Sequence, residues 1–159
     1  MNFLARIQRP LGFLTLVALG AGLWMVFNAP IDFQQGNSVR ILYAHVTSAK
    51  MALFSYILLT LSSIAYLWKK NETADILAEA AAPVGAAFTA VTLASGSIWG
   101  KPMWGTWWAW DARLTSMLVL LILYMGIIAL RNALDEPVKA ARATAVLAII
   151  GAVDLPIIH

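Results

Sequence analysis

Residues Trp99–Thr115 read WGKPMWGTWWAWDARLT, and the rest of the chain is arranged around them. Five of the seven tryptophans fall within twelve residues here, between two long apolar runs. Tryptophan collects at membrane interfaces, where the ring is buried and its N–H stays wet. A belt of that kind places a few rings at helix ends, whereas here five crowd a single connection. So many flat apolar faces beside water suggest a platform for an equally flat, apolar partner.

Composition sets the solvent. Of 159 residues, 61% are hydrophobic and 12% charged, and the mean hydropathy is +0.77. A soluble core of this size cannot bury so much apolar surface, so a bilayer is the natural surrounding. The net charge of +3 leaves no nucleic-acid footprint, because the cations are scattered over short connections. With no cysteine, disulfides, thiolate chemistry, cysteine-ligated clusters and thioether attachment of haem to this chain are excluded.

Working outward, the pattern predicts helices at about 11–29, 46–68, 80–98, 114–130 and 143–158, with residues 99–113 as a loop. The first run has a basic start, as a signal peptide would. It is longer than a signal core, however, and Phe27-Asn28-Ala29-Pro30 makes a poor cleavage site, so a retained helix is expected. Gln34-Gln35-Gly36-Asn37-Ser38 is a turn or helix start, and Asn71–Glu79 and Arg131–Arg142 are charged loops. The third run is rich in small residues (Gly85, Ala86, Ala87, Ala90, Ala94, Ser95, Gly96), which allow close helix approach and place it at the bundle centre. Pro83 is expected in its first turn, where a missing N–H costs little. No repeat, low-complexity tract or linker divides the chain. The expected fold is an all-α polytopic membrane helix bundle, a single domain over residues 1–159 with five transmembrane helices.

The positive-inside rule gives the orientation. With the N-terminus in the cytoplasm, the inner segments hold Arg6, Arg9, Lys69, Lys70, Arg131, Lys139 and Arg142, and the outer ones only Arg40, Lys50, Lys101 and Arg113. His45, the tryptophan stretch and His159 then share the outer side.

A helical 104–111 would put Trp104, Trp107, Trp108 and Asp111 at i, i+3, i+4 and i+7 on one face, with Trp110 pointing elsewhere. Two readings compete: an anchor helix lying flat on the membrane, and a site for a planar apolar ligand. The second would use Arg40, Lys101 or Arg113 for ligand carboxylates. His45 and His159 are the chain's only histidines. Each alone reads as an incidental interfacial residue. Beside the tryptophans they acquire a purpose, because neutral imidazole is a common ligand of haem iron. Haem unites a planar macrocycle, an iron that takes imidazole, and propionates that take cations. Asp111 and Arg113 also fit a helix cap and an interface anchor. Asp154 is an acid inside an apolar run, which makes it a functional candidate with no assigned role. No nucleotide-binding glycine loop, HExxH, G-x-S-x-G or nucleophile–base pair is present.

The stretch WGKPMWGTWWAWDARLTS resembles the tryptophan-rich "WWD" signature of haem-handling membrane proteins, and most closely the haem exporter protein C (CcmC) family of cytochrome c maturation. Gln34–Ser38 leading through Arg40 to Tyr43-Ala44-His45-Val46, then Ala82–Ala86, then Leu155–His159 carry the similarity over essentially the whole chain. The resemblance implies a multi-pass protein of the bacterial cytoplasmic membrane that binds b-type haem non-covalently on the periplasmic face. It would present that haem to the chaperone CcmE, within an ABC-type complex containing CcmA, CcmB and CcmD. On this resemblance, Trp104, Trp107, Trp108, Trp110 and Asp111 contact haem and chaperone, and His45 is the axial ligand of the haem iron. His159 matches a histidine at the start of a further outer loop and is the weaker ligand candidate. The family has six spans where this chain has five, so a truncated product or fragment is expected. A membrane b-type electron carrier and a haem-free permease-like or structural subunit are the alternatives. Histidines at outer helix ends, rather than paired within the membrane, argue against the first. Replacing Trp107, Trp108 and Trp110 by phenylalanine would separate the second.

Overall fold

The computed structural model describes residues 3–158, with side chains from Arg6 onward; His159 lies outside the described residues. Helices are Phe3–Phe27 (α1), Val39–Lys69 (α2), Glu72–Trp104 (α3), Ala112–Ala133 (α4), Pro137–Gly151 (α5) and Leu155–Ile158 (α6), with a 3-10 turn at Ala152–Asp154 joining the last two. Among the described residues, five helical segments are long and apolar enough to cross a membrane, the fifth running from Pro137 to Ile158. The fold class expected from the sequence is the one observed.

Several boundaries differ from expectation, each for a local reason. The loop foreseen at 71–79 is only Lys70 and Asn71. Lys70 adopts a left-handed φ of 52° and its N–H closes α2 on the Tyr66 carbonyl, while Asn71 caps α3 by accepting from the Thr73 N–H at 2.9 Å. Two residues therefore turn the chain into a tight antiparallel hairpin. Beyond the turn, two of the charged residues of α3 find a partner on α4. Arg131 on α4 donates to both Asp75 oxygens on α3, at 2.6 and 2.7 Å, and to Glu79 at 3.0 Å.

Pro83 consequently lies well inside α3 and not in its first turn. Its missing N–H leaves the Glu79 carbonyl without its helical donor. At Pro156, Ala152 loses its i+4 donor, and its carbonyl accepts from the Leu155 N–H in the tighter i+3 pattern.

The core runs along the α2–α3 hairpin, against which α4 and α5 pack. Tyr56, Leu59, Ala82, Leu120, Tyr124 and Ala148 are buried at its centre. Tyr56 and Tyr124 meet edge to face at 5.1 Å, and the Tyr124 hydroxyl donates to the Ala52 carbonyl at 2.8 Å. Small residues make this possible. A methyl on Gly85 would overlap the Tyr124 ring, and one on Gly151 would overlap the Tyr56 hydroxyl. Large apolar side chains such as Phe54, Leu61, Ile122, Met125 and Ile150 face outward, as lipid-facing surfaces require. Helix α1 is exposed along its apolar length and touches the bundle sparsely, through α2.

The ion pair also fixes the vertical register. Arg131 is level with Asp75 and Glu79, so the start of α4, nineteen residues earlier, comes level with Gly96. Residues 97–104 of α3 thus project about 12 Å beyond α4. The antiparallel hairpin carries the first turns of α2 to the same height. A recess opens where α2 and α3 outreach their neighbours.

Candidate functional site

That recess is a cleft of about 750 Å³ between α2, α3, the start of α4 and Ile158 of α6. Its volume lies within the range of small-molecule and cofactor sites. The walls are apolar (Val46, Ala49, Leu53, Leu93, Leu114, Met117), with Trp99 and Trp104 at the projecting end of α3. Among the described residues the polar side chains are few: His45, Lys50, Thr92, Asp111 and Arg113.

His45 is half-buried, and both partners of its Nδ1 come from α3. The Thr92 carbonyl lies at 3.1 Å and the Ser95 hydroxyl at 3.2 Å. A carbonyl only accepts, so Nδ1 carries the proton. Ser95 agrees, since its own hydrogen goes to the Val91 carbonyl at 2.7 Å. In this tautomer Nε2 keeps its lone pair and is the ring's free ligating atom. Gly96 makes room for the imidazole, because a Cβ there would sit 2.9 Å from His45 Cε1. A glycine of the small-residue run thus serves the site as well as the packing.

The tryptophan stretch is not helical beyond Trp104. Gly105 ends α3 in the left-handed region (φ 76°), its N–H bonding the Lys101 carbonyl at 3.0 Å. Residues 105–111 form an irregular connection, so the single face expected for Trp104, Trp107, Trp108 and Asp111 does not form. A glycine within seven residues of aromatic spacing outweighs the periodicity. The rings instead make two edge-to-face pairs: Trp99 with Trp104 at 5.2 Å, and Trp108 with Trp110 at 5.5 Å. The first pair lines the cleft and the second does not. Trp107 and Trp110 are 57% and 78% exposed, and Trp107 lies under the Lys101 ammonium. The Trp108 Nε1 is buried without an acceptor among the described residues.

The other predicted residues separate in the same way. Asp111 lines the cleft and caps α4, accepting from the Leu114 N–H at 2.8 Å. Arg113 lines it too. Arg40 is turned toward the α1–α2 connection, donating to the Ala29 carbonyl at 3.2 Å. Lys101 donates to the Gly105 carbonyl at 3.0 Å. That first connection folds as a turn at Gly36 (φ 57°) and is tied to the site by Trp99, whose Nε1 donates to Gln35 Oε1 at 3.0 Å. Asp154 lies below the cleft, one turn beneath Ile158; its Oδ2 and the Tyr56 hydroxyl are buried without partners among the described residues. His159 is outside the described residues.

Lys50, Trp99, Thr92 and Gly96 are cleft residues that sequence reasoning did not single out. Lys50 read only as a polar residue near the expected start of the second apolar run, and its depth in the helix emerges because α2 begins at Val39. Thr92 and Gly96 carried no signal, since their roles depend on the register of α2 against α3.

The family model described as "Heme exporter protein C" matches residues 1–159. The Heme exporter protein C of Bradyrhizobium diazoefficiens is 48% identical over 160 residues, covering 99% of this chain and 61% of that protein. The one from Escherichia coli strain K12 is 49% identical over 146 residues, covering 91% of this chain and 60% of that protein. A putative cytochrome c biosynthesis ccmC-like mitochondrial protein of Marchantia polymorpha is 43% identical over 146 residues, or 92% of this chain. The chain thus spans about three fifths of the length of these relatives. A match along its whole length, with near-half identity to curated members, makes it a member of the Heme exporter protein C family.

Proposed function

We propose that this chain binds haem in the α2–α3–α4 cleft and presents it to the haem chaperone CcmE during cytochrome c maturation. The observation that carries the reading is His45, held by α3 in the tautomer that leaves Nε2 free, in an apolar cleft beside two tryptophans. The names of the relatives supply the cargo.

The chain's own part is positional. Thr92 and Ser95 orient the imidazole toward the iron, Trp99 and Trp104 provide flat walls, and the apolar lining excludes water. Haem is cargo here, held non-covalently as b-type haem, and the protein carries it without turnover of its own. Trp107, Trp108 and Trp110, standing outside the cleft beside it, form the surface offered to the chaperone. With the basic helix ends inside, the site faces the periplasm from the bacterial inner membrane. CcmA, CcmB and CcmD complete an ABC-type complex around the bundle.

The test is a haem titration of the protein in nanodiscs, followed by mixing with purified chaperone. One equivalent should bind to the parent protein, bind more weakly to His45→Ala, and pass to the chaperone. Failure of the folded parent to bind haem would contradict the proposal.

A further inference from the structure

We infer that Asp154 works as a neutral carboxylic acid latched to the Tyr56 hydroxyl, a positioning residue that holds the floor of the cleft beneath its occupant. Three residues of the sequence build the pair. Pro156 removes the donor that Ala152 would otherwise meet at i+4, and Ala152–Asp154 winds as a 3-10 turn. Positions i and i+3 eclipse in such a turn, so Asp154 stands over Gly151. The Tyr56 hydroxyl fills the place that a Gly151 side chain would take. Both Asp154 and Tyr56 are buried, and among the described residues neither Asp154 Oδ2 nor the Tyr56 hydroxyl has a hydrogen-bond partner. Two orphan polar atoms on one face of one turn point to each other as partners. A small side-chain rotation or a single bridging water joins them.

The surroundings decide the form of the acid. The 3-10 turn is packed against α2, α4, α5 and α6. From α2 comes Tyr56 and from α4 Ser116, both uncharged. Arg113, one turn above Ser116, is exposed, and no ion pair among the described residues includes it or Asp154. Arg142 and Lys139 of α5 stand twelve and fifteen positions before Asp154, and α6 carries no charge. An ionised carboxyl there lacks a counter-charge, so the proton stays. Acid and phenol are each donor and acceptor, and together they are satisfied without net charge. The effect reaches the cleft through Ile158, which lines it one turn beyond Asp154. While the acid binds Tyr56, α6 is tied to α2. When the proton passes to cleft water, a charge is left in the bundle and the tie loosens. The stability this latch contributes is therefore present at low pH and lost as pH rises through ionisation of Asp154.

The test begins on the haem-free full chain in nanodiscs, and only its last step rests on the reading of the cleft as a haem site. At neutral pH an infrared spectrum should show a carboxylic-acid carbonyl band that disappears in Asp154→Asn and shifts in Tyr56→Phe. Hydrogen exchange at the amides of residues 153–158 should quicken about tenfold in Asp154→Ala and in Tyr56→Phe, as loss of a buried hydrogen bond predicts. Asp154→Asn keeps a donor and an acceptor, and should stay within about twofold of the parent. Raising the pH should quicken exchange more in the parent than in Asp154→Asn. Absence of the acid band in the parent, or equal exchange in the Asn and Ala variants, overturns the inference. In the last step, haem affinity should fall severalfold in Asp154→Ala and Tyr56→Phe and be kept in Asp154→Asn. Unchanged affinity in a variant whose exchange has quickened overturns the role at the cleft floor. A folded parent that binds no haem contradicts the proposed function, and the infrared and exchange results then decide the latch by themselves.

Discussion

The imidazole of His45 and the carbonyl of Thr92 are joined at 3.1 Å across the α2–α3 interface, and this bond decides which ring nitrogen is free. A helical carbonyl seldom serves a side chain on a neighbouring helix. It can here because Gly96, one turn along α3, leaves space for the ring. Gly96→Ala would push a methyl against His45 Cε1 and turn the imidazole off its acceptor. Because alanine favours helix, the fold should survive. Haem affinity should fall by about tenfold, in line with the strain of overpacking, as measured by titration in nanodiscs.

The two tryptophan pairs should separate two functions. Replacing Trp99 and Trp104 by alanine removes cleft walls and should weaken haem binding. Replacing Trp107 and Trp110 by alanine removes exposed rings outside the cleft lining, and should leave haem affinity within about twofold while weakening chaperone association. Titration and co-purification, run on both double variants, check the division. Equal loss of haem affinity in both would show that the stretch acts as one platform.

Asp111 holds two positions at once, at the head of α4 and on the cleft lining. Asp111→Asn keeps a side-chain acceptor for the Leu114 N–H, whereas Asp111→Ala loses it at a cost of about 1 kcal/mol. Thermal unfolding should therefore show Asn near the parent and Ala below it. A fall in haem or chaperone binding shared by both variants would report the charge rather than the cap.

Arg131, Asp75 and Glu79 set the height of α4 against α3. Asp75→Asn should destabilise the bundle by about 1–3 kcal/mol, the range for charge-assisted bonds in partly buried places. Reversible unfolding in mild detergent would measure it. An unchanged stability would mean that packing alone sets the register.

Much of this arrangement can be read from residue order. The five spans follow from runs of apolar residues, and the prominence of His45 and the tryptophans follows from their rarity and crowding. What the sequence conceals is contact between runs. Asp75 and Arg131 look like members of two charged loops, whereas both stand on helices and pair across 56 positions. Trp104 to Asp111 carries a helical spacing of aromatic residues, yet Gly105 breaks it. Lys50 looks like one more polar residue near a helix start until α2 is found to begin at Val39, which moves it to the wall of a cleft.

Ligation of haem iron by His45 Nε2 is the centre of the account, and an optical spectrum with chemical rescue tests it most directly. The haem-loaded parent protein, a His45→Gly variant, and that variant with added imidazole would be compared in nanodiscs. The account predicts a histidine-ligated spectrum in the parent, its loss in the variant, and its recovery as imidazole fills the vacated space beside Gly96. A variant whose haem spectrum and affinity match the parent's without imidazole would contradict it.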